Sequence, residues 1–119
     1  MSGAMSYHAG LAAEHQVADH YRRAGRHIAA QRWRGHYGGE IDLIAREGDT
    51  VIFIEVKRAQ THAWAAERLT VRQMRRIFVS ADEFVAGAPD CANLGRRFDV
   101  ALVDAQGRIE ILENAYHFD

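Results

Sequence analysis

The stretch Gly39-Glu40-Ile41-Asp42-Leu43-Ile44-Ala45-Arg46-Glu47-Gly48-Asp49-Thr50-Val51-Ile52-Phe53-Ile54-Glu55-Val56-Lys57-Arg58 reads as a β-hairpin. Two runs rich in β-branched and aromatic residues flank Gly48-Asp49, and a two-residue loop with Gly first suits a type II′ turn. That turn pairs Glu47 with Thr50 and sets the register. One face then pairs Ile41 with Val56, Leu43 with Ile54 and Ala45 with Ile52. The other pairs Ile44 with Phe53, Asp42 with Glu55 and Glu40 with Lys57. A slip of one residue would mix polar and apolar side chains on both faces.

This register has a chemical consequence. Asp42 and Glu55 become direct cross-strand neighbours, with Cβ atoms about 4.5–5.5 Å apart. Two like charges so placed are destabilising unless a cation or a proton lies between them. Carboxylate oxygens suit Mg²⁺ or Mn²⁺, which keep several waters and accept phosphate oxygens. Such an ion lowers the pKa of a bound water and offsets charge in a phosphoryl transition state. Lys57 follows on the same face. It is the single lysine of a chain whose other 14 basic residues are arginine. An ammonium is a compact point charge that can lose its proton, whereas a guanidinium effectively cannot. The bland reading stands beside this one, because charged residues near a strand end are usually solvated.

The rest of the chain supplies layers for that hairpin. Leu11 to Ala24 forms an amphipathic helix with Leu11, Glu14, Val17, Ala18 and Tyr21 on one stripe, ended by Gly25. Glu14 is the odd member, an acid within the apolar stripe. His27 to Arg34 is a first strand, and Gly35 to Gly39 a loop with three glycines. Gln60 to Glu67 is a loop or a helix entry. Thr70 to Val85 is a second helix with Met74, Ile77, Phe78, Ala81 and Phe84 inward. Arg97 to Val103 and Arg108 to Asn114 are two last strands. The order is helix-strand-strand-strand-helix-strand-strand, in a single domain over residues 1–119, with residues 1–9 expected to be flexible.

Composition narrows the function classes. The 119 residues carry a formal net charge of −1, so charge alone would not coat nucleic acid. The longest apolar run, Val51 to Ile54, is far too short to span a bilayer, and the N-terminus does not read as a signal peptide. Cys91 is the single cysteine, which rules out an intrachain disulfide and a cysteine zinc site and makes the cytoplasm the default location. His15 and His20 point to different helix faces, and no zinc-protease, serine-hydrolase or phosphate-loop motif is present.

Gly39-Glu40-Ile41-Asp42-Leu43-Ile44, Phe53-Ile54-Glu55-Val56-Lys57-Arg58, Arg97-Phe98-Asp99-Val100 and Asn114-Ala115-Tyr116 together resemble the YraN-like family of small bacterial proteins. That family is similar to the PD-(D/E)xK nucleases, close to archaeal Holliday junction resolvases. The resemblance runs from about Gly10 to Tyr116. It implies a restriction-endonuclease-like α/β fold, three layers around a central mixed sheet. It implies a Mg²⁺ or Mn²⁺ cofactor held by Asp42, Glu55 and the Val56 carbonyl, with Glu14 approaching directly or through water, and Lys57 as the catalytic lysine. Glu40 belongs to the motif in a supporting role, and Gln73 falls where related nucleases carry a polar residue beside the site. Ile41 replaces the proline of the superfamily's name, and Ala59 stands where a second basic residue is frequent.

Arg58, Arg72, Arg76 and Gln73 are the candidate DNA contacts. Arg68, Arg72, Arg75 and Arg76 cluster on the second helix, either as a solvated face or as a phosphate-tracking surface. Arg22, Arg23, Arg26, Arg32 and Arg34 form another basic stretch. Trp33, His36 and Tyr37 beside it either stack on unpaired bases or anchor the loop. The expected activity is metal-dependent hydrolysis of DNA phosphodiester bonds, at branched or single-stranded sites. The alternatives are a non-catalytic nucleic-acid-binding module that keeps the fold, and a subunit whose role is protein interaction. A homodimer would suit a branched substrate, because a two-fold axis presents two sites.

Overall fold

The computed structural model describes residues 3–116, with side chains from His8 onward. Its elements are α1 (Gly3–Arg23), β1 (His27–Arg34), β2 (Glu40–Glu47), β3 (Thr50–Arg58), α2 (His62–Glu67), α3 (Val71–Ala86), β4 (Gly95–Val103) and β5 (Ile109–Tyr116), with a single 3₁₀ turn at Pro89–Cys91. The expected turn is in place: Gly48 has φ +56°, and Glu47 pairs with Thr50. From that turn the predicted register holds through Arg46–Val51, Ala45–Ile52, Ile44–Phe53 and Leu43–Ile54.

The five strands form one mixed sheet in the order β1-β2-β3-β4-β5. Only β3 and β4 run parallel. A parallel pair needs a crossover, and α2 with α3 provides it. The crossover covers one face of the sheet. There Ala65, Ile77, Ala81 and Val85 pack on Ile41, Ile44, Val51, Phe53, Phe98, Val100 and Leu102. On the other face Ala13, Val17, Ala18 and Tyr21 of α1 pack on Leu43, Ala45, Ile52, Ile54, Ala101 and Val103. The alternation of side chains along β2 and β3 thus feeds two separate apolar layers. Cys91 is buried in the first.

Three local expectations change. The first helix starts at Gly3 instead of Leu11. Extending an existing helix costs little once it is nucleated, so no apolar stripe is needed there. Of the residues set aside as flexible, Met1 and Ser2 lie outside the described residues. Second, Gln60 to Glu67 contains a true helix, α2, which the predicted order lacks. Thr61 caps it, its Oγ1 accepting the Trp64 amide at 3.1 Å. Six residues are too few for periodicity to reveal. Third, Ile41 does not share a face with Leu43. It packs with Ile44 under the α3 side, so the strict alternation of β2 breaks at Asp42. The neighbouring residue of β1, Arg32, has φ +52°, a left-handed conformation in mid-strand.

Both helix layers are tied to the sheet by polar contacts. The Thr70 hydroxyl caps α3 by accepting the Gln73 amide at 3.1 Å. Gly38 presses onto α3, where a Cβ would lie 2.5 Å from the Arg76 carbonyl oxygen. Glu83 accepts the His36 amide at 2.7 Å, and Trp33 meets Phe84 edge-on at 5.4 Å. Trp33 and His36 are therefore loop anchors, while Tyr37 is 88% exposed. On the α1 side, fully buried Asp99 accepts the Tyr21 hydroxyl at 2.7 Å, the Asn114 amide at 2.9 Å, and Arg97 Nε at 2.8 Å and Nη2 at 2.9 Å. Arg97 thus pairs with Asp99 itself. Burial, then the adjacent Asp99 carboxylate, pushes the Tyr21 hydroxyl pKa upward, so the phenol stays a donor.

Asp99→Ala would strand the Tyr21 hydroxyl and the Asn114 amide and unpair Arg97. The expected cost is about 3–5 kcal/mol in urea unfolding, against about 1 kcal/mol for Tyr21→Phe. Near-equal losses from the two variants would show that Asp99 does not organise this network.

Candidate active site

The ladder between β2 and β3 closes at Leu43–Ile54. Beyond it the expected Asp42–Glu55 and Glu40–Lys57 pairs do not continue the ladder. The Asp42 side chain takes over the role of a backbone acceptor, its Oδ2 accepting the Val56 amide at 2.8 Å. β2 leans instead on β1, where Trp33 pairs with Ile41 and Arg34 with Glu40. Because the two strands part here, the sheet opens on a cleft of about 610 Å³.

Each layer contributes to that cleft. Ala9, Gly10, Ala13 and Glu14 come from α1, Asp42 from β2, and Glu55, Val56, Lys57 and Arg58 from β3. Gln60, Trp64 and Arg68 form the wall at α2, and Gln73 reaches in from α3. A smaller cavity of about 260 Å³ adjoins it, sharing Asp42, Glu55 and Gln73 and adding Arg34, Glu40 and Arg76. The sequence-derived set Glu14, Asp42, Glu55, Val56, Lys57, Arg58 and Gln73 therefore meets in one place. Arg76 borders the adjoining cavity. Arg72 is exposed on α3 and lines neither.

The electrostatics centre on two acids. Glu55 is 3% exposed, and its Oε2 is buried without a hydrogen-bond partner among the described residues. Burial raises the Glu55 pKa far above its ordinary 4.5. A shared hydrogen bond with Asp42 and the Asp42 charge raise it further, and Lys57 only partly offsets them. Glu14 is pushed up to about 7, first by burial and then by Asp42, with Arg32 acting in the opposite sense.

Glu40 does not sit beside Lys57 in an ion pair. Its carboxylate lies 3.4 Å from Arg32 Nε and 3.9 Å from Arg34 Nη2. Arg32 also stands 3.8 Å from Glu14 Oε1, so it bridges the two outer acids. The basic stretch before β2 is largely consumed in such pairs, Arg22 with Asp19 at 3.2 Å and Arg26 with Glu47 at 2.8 Å. Among the described residues no group of three or more His, Cys, Asp or Glu side chains is gathered for one ion. The donor chemistry nevertheless fits a hard divalent cation. A buried carboxylate oxygen with no partner beside a second carboxylate is an arrangement that a cation relieves.

The chain matches known sequences over the part that holds these side chains. Residues 13–103 match the family described as "Uncharacterised protein family UPF0102". The chain belongs to the UPF0102 family. A UPF0102 protein of Cereibacter sphaeroides is 62% identical over 116 residues, covering 98% of each chain. One from Ruegeria pomeroyi is 53% identical over 114 residues, covering 96% of this chain and 92% of that one. A third, from Roseobacter denitrificans, is 50% identical over 114 residues, with 96% and 88% covered. The YraN-like resemblance of the hairpin motifs is to this same family. Among the described residues no helix is long and apolar enough to cross a membrane.

Sequence reading missed Ala9, Gly10, Gln60 and Trp64 in this UPF0102 protein, and of the arginine cluster at the second helix it is Arg68 that lines the cleft. The first two precede Leu11, where the helix was expected to begin. Trp64 belongs to a helix too short to show a period and Gln60 lies just ahead of it, although Thr61 before an apolar run was a usable cap signal.

The Glu55 shift gives a signed pH dependence. A carboxyl whose folded pKa is raised contributes fully below its ordinary value of 4.5 and loses that contribution as pH rises. In EDTA, Glu55→Gln should therefore melt higher than wild type at pH 8, with the gap shrinking toward pH 4.5. Thermal unfolding of both proteins across that range is the measurement, and a pH-independent gap would contradict the assignment.

Proposed function

We propose that this UPF0102 protein is a Mg²⁺- or Mn²⁺-dependent endonuclease with a restriction-endonuclease-like core, acting in the cytoplasm on DNA phosphodiester bonds. The observation that carries the reading is the unpartnered, buried Glu55 Oε2 beside Asp42, in a cleft that also receives Lys57. The three-layer arrangement and the position of the cleft at parting strands support the core assignment, and the hairpin motif supports the chemistry.

Asp42 and Glu55, with the Val56 carbonyl, would hold the cation, and Glu14 would reach it through water. When bound, the ion supplies a more acidic water and compensation for charge on the phosphate. Asp42 is oriented for this by the Val56 amide, which donates to one of its oxygens. Lys57 places a positive charge beside the two acids. There it can orient a water or neutralise a non-bridging phosphate oxygen. Gln73 lines the same cleft from α3, where its amide can position the same water. Glu40 acts at one remove, holding Arg32 against Glu14. Arg58 and Arg76 at the margins suit phosphates on either side of the scissile one.

One observation favours the second reading, a DNA-binding module that does not cleave. Glu14 is engaged by Arg32 rather than converging with Asp42 and Glu55 into a three-acid group.

Cleavage of supercoiled, single-stranded and four-way-junction DNA separates the two. The expected result is cleavage of at least one substrate with Mn²⁺, none with EDTA, and a loss of about 100-fold or more in Lys57→Ala. Equal cleavage by wild type and Lys57→Ala would mark a contaminant and sink the enzyme reading. Binding without Mn²⁺-dependent cleavage would establish the module instead. Mn²⁺ should also raise the melting temperature of wild type but not of Asp42→Asn; an equal rise in both would remove Asp42 as a ligand.

A further inference from the structure

We infer that Trp64 is a base-stacking platform in the cleft wall, and that the protein grips DNA through an unpaired nucleotide. The identity of the polymer rests on the nuclease reading above; the role of Trp64 is argued from its own surroundings. The side chain is 59% exposed, an unusual position for the largest apolar ring in a domain with two buried layers. The short helix that carries it does not need the indole as an anchor. Ala65 is buried, Leu69 packs against the same apolar cluster, and Thr61 caps the helix. His62 fastens it to the β4–β5 end of the sheet, with Nε2 at 2.9 Å from the Arg108 carbonyl oxygen and Nδ1 at 3.1 Å from Glu110. Among the described residues the indole has no hydrogen bond or ring partner. The helix is thus held by other side chains, and the ring is left mostly exposed.

What faces it narrows the ligand. Arg68 follows Trp64 by four residues, so the two project from the same side of the chain, and both line the cleft. Lys57 and Arg58 line it as well, close to the paired acids. An aromatic face among cations is the combination that binds a polynucleotide strand, the cations taking phosphates and the ring taking a base. Within a duplex each base face is covered by its neighbours. An indole on a cleft wall can meet a base face only where the nucleotide is unpaired or displaced from the stack. The substrate class is then DNA with an unpaired nucleotide at the cleavage site: a single strand, a flap or a branch.

Binding can be read without cleavage by fluorescence anisotropy with Ca²⁺ in place of Mg²⁺. The probes are a labelled single-stranded oligo-dT, the same strand carrying abasic sites, and a blunt duplex of equal length. Trp64→Ala should weaken oligo-dT binding roughly tenfold or more, within the range that base–aromatic stacking supplies. It should leave the abasic strand and the duplex unchanged, and Trp64→Phe should recover most of the loss. Independently of the alanine variant's folding, the fluorescence of a Trp33→Phe protein should be quenched by oligo-dT and not by the abasic strand. Unchanged oligo-dT affinity in Trp64→Ala, or an equal loss on all three probes, would overturn the proposal. So would a shift from dimer to monomer with no change in DNA affinity, which would assign the ring to a contact between copies. If wild type binds and cleaves DNA while Trp64→Ala behaves identically, the stacking role fails and the nuclease reading stands. If wild type binds none of the probes, both fall.

Discussion

Asp42 and Glu55 are two carboxylates held side by side at the point where β2 and β3 separate, and most of the site follows from that placement. One oxygen of Asp42 is fixed by the Val56 amide, so the strand pair ends on a side chain instead of a ladder bond. Glu55 is buried behind it with an oxygen that no group among the described residues satisfies. In a medium of low effective dielectric the pair cannot carry two charges without a counterion or a proton. Neutral Glu55 is the solution open to the protein alone. A divalent cation is the other, and it would restore the charge that protonation removes.

The surrounding basic residues fall into two groups with different roles. Arg32 and Arg34 are engaged with Glu40 and Glu14, so they balance the acids on the β1 side. Arg32 does so from a left-handed backbone conformation, a local strain tolerated where the sheet changes its alternation. Lys57, Arg58 and Arg68 line the open side. The formal net charge of −1 therefore hides a separation of sign, with acids at the floor of the cleft and cations along its rim.

A second buried carboxylate, Asp99, shows the opposite outcome. It accepts four hydrogen bonds, from Tyr21, Asn114 and both ends of the Arg97 fork, and joins α1, β4 and β5. Asp99 is satisfied and structural, whereas Glu55 Oε2 has no partner among the described residues and Glu55 lines a cleft. Both are buried acids in adjacent strands, paired in register one residue apart, Ile54 with Asp99 and Glu55 with Val100. Their hydrogen-bond partners, rather than their burial, distinguish the two acids.

The hairpin was legible in the sequence because local rules fix it. Gly48-Asp49 dictates the turn, and the turn dictates which residues oppose one another as far as Leu43 and Ile54. The strand pattern put Asp42, Glu55 and Lys57 on one face, while the place of Glu14 and Gln73 beside them was what the family resemblance implied; all five line one cleft. Tertiary structure decided the rest. Whether Asp42 would end the ladder depends on β1 drawing β2 away, a non-local competition that no window of sequence contains. The same holds for Ile41, which left the predicted face, and for Glu40, which turned from Lys57 to arginines on the neighbouring strand. α2 escaped notice because a helix of under two turns shows no period, and with it went Trp64. Sequence by itself determined the chemical inventory and its spacing along each strand; only the packing of three layers determined which of those groups would be satisfied and which left facing the cleft.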